Sequence, residues 1–224
     1  MLYQAYQFHD DVVAPFRSWA RNWMAMLGSG ISGPQDSMTR RYLAALELIS
    51  RYQLTHVRPD FDINTVLSGN ADVKVTPTVE LSLPFGDLLH FVKESDMRQP
   101  KVLVIAPLSG HFSTLLRGTI ETLLRDHDVY VTDWINARDV PLSEGRFGVE
   151  DYIGYIIRFL EEIGPGTHIL AVCQPCVQGL AATAIMSADN HACTPRSMTL
   201  MAGPIDPRES PTEVNEFAVS KSLK

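Results

Sequence analysis

The chain has 224 residues, of which 45% are hydrophobic and 20% charged, proportions typical of a folded globular protein. Its 26 acidic residues outnumber its 19 basic ones, and the net charge of −7 argues against nucleic acid as the main partner. No apolar run approaches the roughly 18 residues of a transmembrane segment, and the first residues lack a signal-peptide pattern. Three cysteines are too few for a disulfide scaffold, so we expect a cytoplasmic protein.

The first 70 residues predict a helical N-terminal region. Apolar residues from Asp10 to Leu27 recur at helical spacing, and Ser37 is a typical N-cap before a second helical pattern. Residues 58–72 contain several turn formers and predict an irregular connection. Trp19 and Trp23 share one face of the first helix, where they either bind a polymer surface or pack against the protein itself, and the pattern favours packing.

Residues 71–224 predict an α/β body. Residues 73–83 and 87–94 form a predicted antiparallel pair of strands. Short apolar strands then alternate with helices, which indicates a mostly parallel sheet covered on both faces. The predicted strands are 102–106, 129–131, 168–172 and 198–201, and the predicted helices are 114–125, 149–163 and 177–188.

Cys173 is the candidate catalytic residue, because it lies between a predicted strand and a predicted helix. Open α/β sheets place ligands at this end of their strands, and a helix N-terminus favours the reactive thiolate form of a cysteine. The nucleophile elbow of hydrolases has the same strand–turn–helix order, usually with the pattern G-x-S-x-G. Here the window reads Ala171-Val172-Cys173-Gln174-Pro175, so cysteine stands in the serine position and neither glycine is present.

Three other interpretations of Cys173 stay open at this point. The residue is a small buried core side chain, or half of a C-x-x-C redox pair with Cys176, or a zinc ligand with Cys176, His191 and Cys193. The strand–helix order before the motif argues against a thioredoxin-like domain. The intact apolar helix predicted between Cys176 and Cys193 argues against a zinc knuckle, so we expect neither a metal nor a cofactor.

The loop after strand 102–106 is the second candidate element. In α/β-hydrolases this loop supplies one oxyanion-hole N–H, and the residue after the nucleophile supplies the other. The expected donors are therefore Gln174 and either Leu108 or Ser109, although Ser109-Gly110 also fits an ordinary turn. His111, Asp133 and Trp134 are possible substrate-binding residues, with structural roles as the alternative.

With these motifs in view, the chain resembles the intracellular poly(3-hydroxybutyrate) depolymerases, a polyhydroxyalkanoate depolymerase family. The similar segments are colinear over nearly the whole chain: 1–7, 106–112, 115–119, 132–138, 172–175 and 201–206. The resemblance implies an α/β-hydrolase-like fold and Cys173 as the nucleophile that cleaves an ester bond. The implied partner is a polyhydroxyalkanoate polymer or the surface of its storage granule in the cytoplasm.

The family's catalytic Asp and His lie in a segment beyond the part that this chain resembles. After Cys173 the sequence has only His191, and Asp189 lies too close to it in sequence to orient its ring. We therefore expect an N-terminal part of such an enzyme, without the last strands and with little esterase activity by itself. A non-catalytic granule-associated binding protein and a C-x-x-C redox protein are the alternatives, and the oligomeric state is not predicted.

Overall fold

A computed structural model describes residues 2–28, 37–52, 58–108, 112–209 and 211–221. The chain divides into two compact units between Arg58 and Pro59. Among the described residues, no helix combines the length and the apolar character needed to cross a membrane.

The first unit is a pair of helices, α1 (Leu2–Gly28) and α2 (Ser37–Arg51). The end of α2 lies against the first half of α1, since the rings of Tyr52 and His9 are packed edge to face with centroids 6.4 Å apart, and the Arg17 guanidinium near the middle of α1 donates to the carbonyl of Tyr52 at 3.0 Å. The helices are therefore antiparallel. Arg17 is buried and forms a 2.7 Å ion pair with Asp10, which keeps its charge compensated.

The second unit contains seven strands and four helices within the described residues. Its elements are β1 (Thr65–Ser68), β2 (Ala71–Leu83), β3 (Gly86–Lys93), β4 (Lys101–Ile105), α3 (Arg117–Leu123), β5 (Asp128–Trp134), α4 (Val149–Ile163), β6 (His168–Val172), α5 (Pro175–Ala188), β7 (Met198–Met201) and α6 (Glu213–Val219). Short 3₁₀ turns cover Ser113–Leu116 and Leu142–Glu144.

The strands form one mixed sheet in the order β1-β2-β3-β5-β4-β6-β7. The pairs from β1 to β3, and the pair of β3 with β5, are antiparallel, whereas β5, β4, β6 and β7 run parallel. The predicted α/β fold class, a mostly parallel sheet with flanking helices, is confirmed. The carboxyl ends of β4, β5, β6 and β7 share one edge of the sheet, called the carboxyl edge below, and their starts share the opposite amino edge.

The core has two layers because both faces of the parallel strands are covered. Leu103 and Ile105 of β4 pack in the layer that contains α4 and α5. Val102 and Val104, one residue out of phase, pack in the layer that contains α3. The period-two alternation of side chains explains why these strands read as continuous apolar runs rather than alternating ones.

Three local details differ from the sequence prediction. The connection at 58–72 was predicted to be irregular, but it holds β1 and the start of β2, because a turn at Gly69 lets two short segments pair antiparallel. β1 thus already belongs to the sheet, although the sequence puts the domain boundary near residue 70. The predicted helix 114–125 begins with a 3₁₀ turn, and a further helix, α6 (Glu213–Val219), was not predicted.

Candidate active site

Cys173 occupies the sharp turn between β6 and α5. Its φ of +68° lies in the left-handed region, which a residue other than glycine seldom adopts. The backbone N–H of Cys173 donates to the carbonyl of Met201 on β7 at 2.7 Å, while its carbonyl accepts from Cys176 N–H at 3.1 Å and begins the helical turn. The Cys173 side chain is exposed. The turn therefore has the strained strand-to-helix geometry of a nucleophile elbow.

Two residues explain why the chain tolerates this turn without the usual glycines. Pro175 is the first residue of α5, where its fixed φ suits a helix start and its missing N–H costs nothing. Gly203 lies against the turn from the segment after β7: a Cβ there would lie 2.1 Å from Cys176 Cβ and 3.0 Å from the Cys173 carbonyl oxygen. A glycine is thus required beside the elbow rather than within it, which the local motif does not reveal.

The two thiols of the C-x-x-C sequence have different surroundings. Cys176 is buried, and its Sγ lies 3.3 Å from the carbonyl oxygen of Ala171 and 3.5 Å from that of Met201. Burial raises the pKa of Cys176, so this thiol stays protonated. All three cysteines of the chain are free. The exposed and buried positions are those that a nucleophile and a core thiol require.

The predicted oxyanion donors are described only in part. Gln174 is exposed and is the N-cap residue of α5, at the helix end where backbone N–H groups point outward. Leu108 follows β4 and is partly exposed, at 36%. Ser109, Gly110 and His111 lie outside the described residues.

The loop that contains Leu108 begins at a firmly held residue, Ala106. The Ala106 N–H donates to Thr132 Oγ1 at 2.9 Å, and its carbonyl accepts from Trp134 Nε1 at 2.8 Å and from the Tyr152 hydroxyl at 3.1 Å. Burial raises the pKa of Tyr152, which keeps the phenol protonated as a donor.

The other end of the same loop is held by Asp133, the residue between Thr132 and Trp134. Ser113 and Asp133 are both buried, and the Ser113 hydroxyl donates to Asp133 Oδ1. Consecutive residues at the end of β5 therefore hold both ends of the loop. Asp133 and Trp134, which the sequence nominates for substrate binding, are buried and hydrogen-bonded to the residues at the two ends of the loop, and Trp134 is packed edge-on against Tyr152 at a centroid distance of 4.4 Å.

The four described histidines of this unit lie at the amino edge, away from Cys173. His168 begins β6, His127 precedes β5, and His90 of β3 is hydrogen-bonded to Asp128 at the start of β5. The length of β6, roughly 16 Å at about 3.3 Å per residue, separates His168 from Cys173.

His191 follows the end of α5, and its Nε2 lies 3.3 Å from Glu161 near the end of α4. Its Nδ1 accepts from the backbone N–H of Cys193 at 3.2 Å. Both ring nitrogens of His191 thus have partners that do not belong to the C-x-x-C segment. Across the described part of the chain, no three His, Cys, Asp or Glu side chains are grouped so that they could hold a metal ion.

Comparisons with known proteins give similarities in structure only. No protein-family model matches the chain, and no curated protein matches its sequence. Carboxyl esterase 2 from the fungus Tuber melanosporum is 17% identical with a TM-score of 0.40, over 85% of this chain and 65% of its own. A hyperthermophilic esterase from the archaeon Pyrobaculum calidifontis is 13% identical with a TM-score of 0.41, over 88% and 60%. The chain thus spans less than two thirds of these esterases and resembles them at low identity.

Proposed function

We propose that this chain carries the nucleophile of a carboxylic ester hydrolase, with Cys173 as the attacking residue and an aliphatic polyester of the polyhydroxyalkanoate class as substrate. The observation that supports it best is the exposed Cys173 in a left-handed conformation at the carboxyl edge. Such backbone strain costs about 1–3 kcal/mol and is concentrated at functional sites. A buried core cysteine needs neither the strain nor the exposure.

The chemistry follows from that position. The Cys173 thiolate attacks the ester carbonyl carbon, and the carbonyl electron pair moves onto oxygen. Backbone N–H groups of Gln174 and of the loop containing Leu108 and Ser109 stabilise this oxyanion. Collapse of the intermediate breaks the ester C–O bond, the alkoxide takes a proton from solvent and leaves as the alcohol, and a thioester remains on sulfur. Water then cleaves the thioester into the acid and the free thiol.

The residues that hold the two ends of the loop have a positioning role in this scheme. Thr132 and Trp134 fix Ala106, and Asp133 fixes Ser113, so the end of β5 sets where the loop backbone lies relative to Cys173. Oxyanion stabilisation depends on donors that are already in place before charge develops. Asp133 and Trp134 therefore act on the substrate through the loop rather than by contact. His111 remains a substrate-contact candidate on sequence grounds.

The polyester class rests on the colinear resemblance described for the sequence, which includes the segments around Cys173, Ala106 and Asp133. Association with a storage granule is part of the same proposal. The described histidines lie far from Cys173, so we expect acylation of the thiol rather than rapid turnover from residues 1–224.

Acylation is therefore the measurement that tests the proposal. The purified chain is incubated with p-nitrophenyl butyrate or with a 3-hydroxybutyrate oligoester, and the cysteine peptides are analysed by mass spectrometry. We expect one acyl group on Cys173, none in Cys173→Ala, and unchanged labelling in the matched control Cys193→Ala. An unmodified Cys173 in folded protein contradicts ester chemistry. Acylation by the simple ester but not by the oligoester contradicts the polyester class alone.

A further inference from the structure

The helical unit carries a large exposed apolar surface. The exposed side chains of this unit include Val12, Phe16, Trp19, Trp23 and Met26 on α1, Met38, Tyr42, Ala45 and Ile49 on α2, and Tyr52 directly after α2. We call this set the outer seam. None of its ten members is charged. The Trp19 and Trp23 rings are stacked with centroids 6.1 Å apart.

The spacing of the outer seam is that of helices packed against helices. Its members recur at alternating intervals of four and three residues on both helices, an average of 3.5, which is the coiled-coil repeat. The less exposed positions of the two helices have the same spacing: Asp10, Val13, Arg17, Ala20, Met24 and Leu27 on α1, and Thr39, Leu43, Leu46 and Ser50 on α2. We call this second set the inner seam, because it is where α1 and α2 meet.

Each outer-seam residue except Tyr52 comes directly before an inner-seam residue in the sequence. Because consecutive helical residues are rotated by about 100°, the two seams of each helix lie about 100° apart. Since α1 and α2 are antiparallel, the same rotation about each helix's own direction brings both outer seams to one side of the pair. A helix in a four-helix bundle needs this arrangement, because it contacts two neighbours at about a right angle. The inner seam satisfies one neighbour, and the outer seam is the surface for the other.

We propose that the outer seam binds the outer seam of a second copy of this chain, so that two helical pairs complete a four-helix bundle. The size of the surface supports this partner. Its nine large side chains are 37–74% exposed. At roughly 150–250 Å² for a large side chain, they present on the order of 800–1,000 Å². A stable protein interface buries about 800 Å² on each partner, and monomers rarely expose apolar patches above a few hundred Å².

The mass of the full chain in solution tests this proposal independently of any ester chemistry. Sedimentation equilibrium of wild type should give twice the chain mass of 25.0 kDa. Trp19→Glu and Ile49→Glu, one on each helix, should give single chains. The matched control is Leu48→Glu, which alters a 72% exposed leucine that lies a further 100° away from the seam. It should leave the two-chain species intact.

Tryptophan fluorescence gives a second readout that needs no variant. Two of the three tryptophans are Trp19 and Trp23, and the third, Trp134, is buried and contributes a constant background. Dilution of the wild-type chain should therefore shift the emission to longer wavelength as the seam separates.

A wild-type chain that is monomeric at every concentration, or a dimer that persists in both glutamate variants, overturns the proposal. Monomers that bind polyester particles through Trp19 and Ile49 also overturn it and assign the surface to the polymer. Circular dichroism checks that each variant keeps its helices. A variant that loses them is replaced by Trp19→Ala or Ile49→Ala, which should weaken the dimer without adding charge.

Discussion

The two edges of the parallel sheet differ in the chemistry that they carry. The carboxyl edge has an exposed thiol, a strained turn and a loop held by hydrogen bonds at both ends. The amino edge has the described histidines of the α/β unit and several partnered charges, among them His90 between Glu80 and Asp128 at 2.8 and 2.7 Å. Among the described residues, the exposed thiol and the histidines of this unit thus lie at opposite ends of the strands.

Within the described part of the chain, this arrangement places no imidazole beside Cys173. A group at the carboxyl edge can react with an ester carbonyl, but imidazole bases must lie within hydrogen-bond reach of the reacting atoms to assist. General-base assistance contributes roughly 10²–10⁴-fold to rates. The amino-edge histidines have hydrogen-bonding or ionic partners within the α/β unit, so we expect their substitution to change stability rather than the reactivity of Cys173.

The largest expected effect is the difference in alkylation rate between Cys173 and Cys176. Iodoacetamide should modify exposed Cys173 first in the folded chain, whereas buried Cys176 should react only on unfolding because its thiol is desolvated and protonated. Mass spectrometry of timed samples measures this order. No Cys173–Cys176 disulfide should form on mild oxidation, since Cys176 Sγ packs against backbone carbonyls. Faster labelling of Cys193 with an inert Cys173 would remove the elbow interpretation.

Substitution of Gly203 should disturb the carboxyl edge next most strongly. In Gly203→Ala the new Cβ meets Cys176 Cβ at 2.1 Å, and relief requires movement of the elbow. We expect a loss of about 1–3 kcal/mol in the free energy of unfolding, measured by urea denaturation. The matched control is Gly154→Ala within α4, where a Cβ has open space, and a gain of up to about 1 kcal/mol is expected. Equal effects of the two substitutions would contradict the close packing at Gly203.

Loosening the loop should slow acylation without affecting alkylation. Asp133→Ala removes the acceptor for Ser113 and should lower the acylation rate of Cys173 about tenfold, equivalent to about 1.4 kcal/mol. Alkylation by iodoacetamide forms no oxyanion and should be unchanged. Asp133→Asn keeps an acceptor oxygen and should recover most of the acylation rate. A parallel fall of both rates would indicate general disruption rather than positioning.

The smallest expected effect is at the amino edge, where His90 should make the free energy of unfolding depend on pH. Burial lowers the pKa of His90, but hydrogen bonds and attraction from Asp128 and Glu80 outweigh it and raise the pKa above 6.5. The folded state therefore binds the proton more tightly, so this stabilisation is full below the unfolded pKa and is lost as pH rises through the folded pKa. The free energy of unfolding of wild type should exceed that of His90→Gln by up to about 1 kcal/mol at pH 5.5 and by less at pH 9. Urea denaturation at both values measures the difference, and a pH-independent gap would contradict it.

Much of the α/β body could be predicted from the sequence because its signals are local. Continuous apolar segments at 102–106 and 168–172, with helical patterns between them, are sufficient to indicate parallel strands under helices. The position of Cys173 between a strand and a helix follows from the same pattern. The pairing of β1 with β2 was missed because four-residue strands have little periodicity to detect.

The scaffold of the site could not be predicted in the same way. Asp133 and Trp134 are recognisable in sequence as polar and aromatic residues at a strand end, but their partners Ser113 and Ala106 are 20 and 28 residues away. Only the placement of β5 beside β4 shows that these side chains hold the two ends of the loop. The sequence pattern likewise favours packing of Trp19 and Trp23, whereas both side chains are exposed. Burial of a helix face depends on contacts with distant segments, which the pattern of the helix itself does not encode.

The sequence by itself determined the fold class and the position of Cys173 between a strand and a helix, because strand and helix periodicity and the order of elements are properties of neighbouring residues. Tertiary structure alone decided that Gly203 accommodates the elbow, that Cys176 is core and that the described histidines lie at the far edge. These facts depend on contacts between segments distant in the chain. Such contacts are set by the packing of the whole sheet and its helices, and no local pattern encodes them.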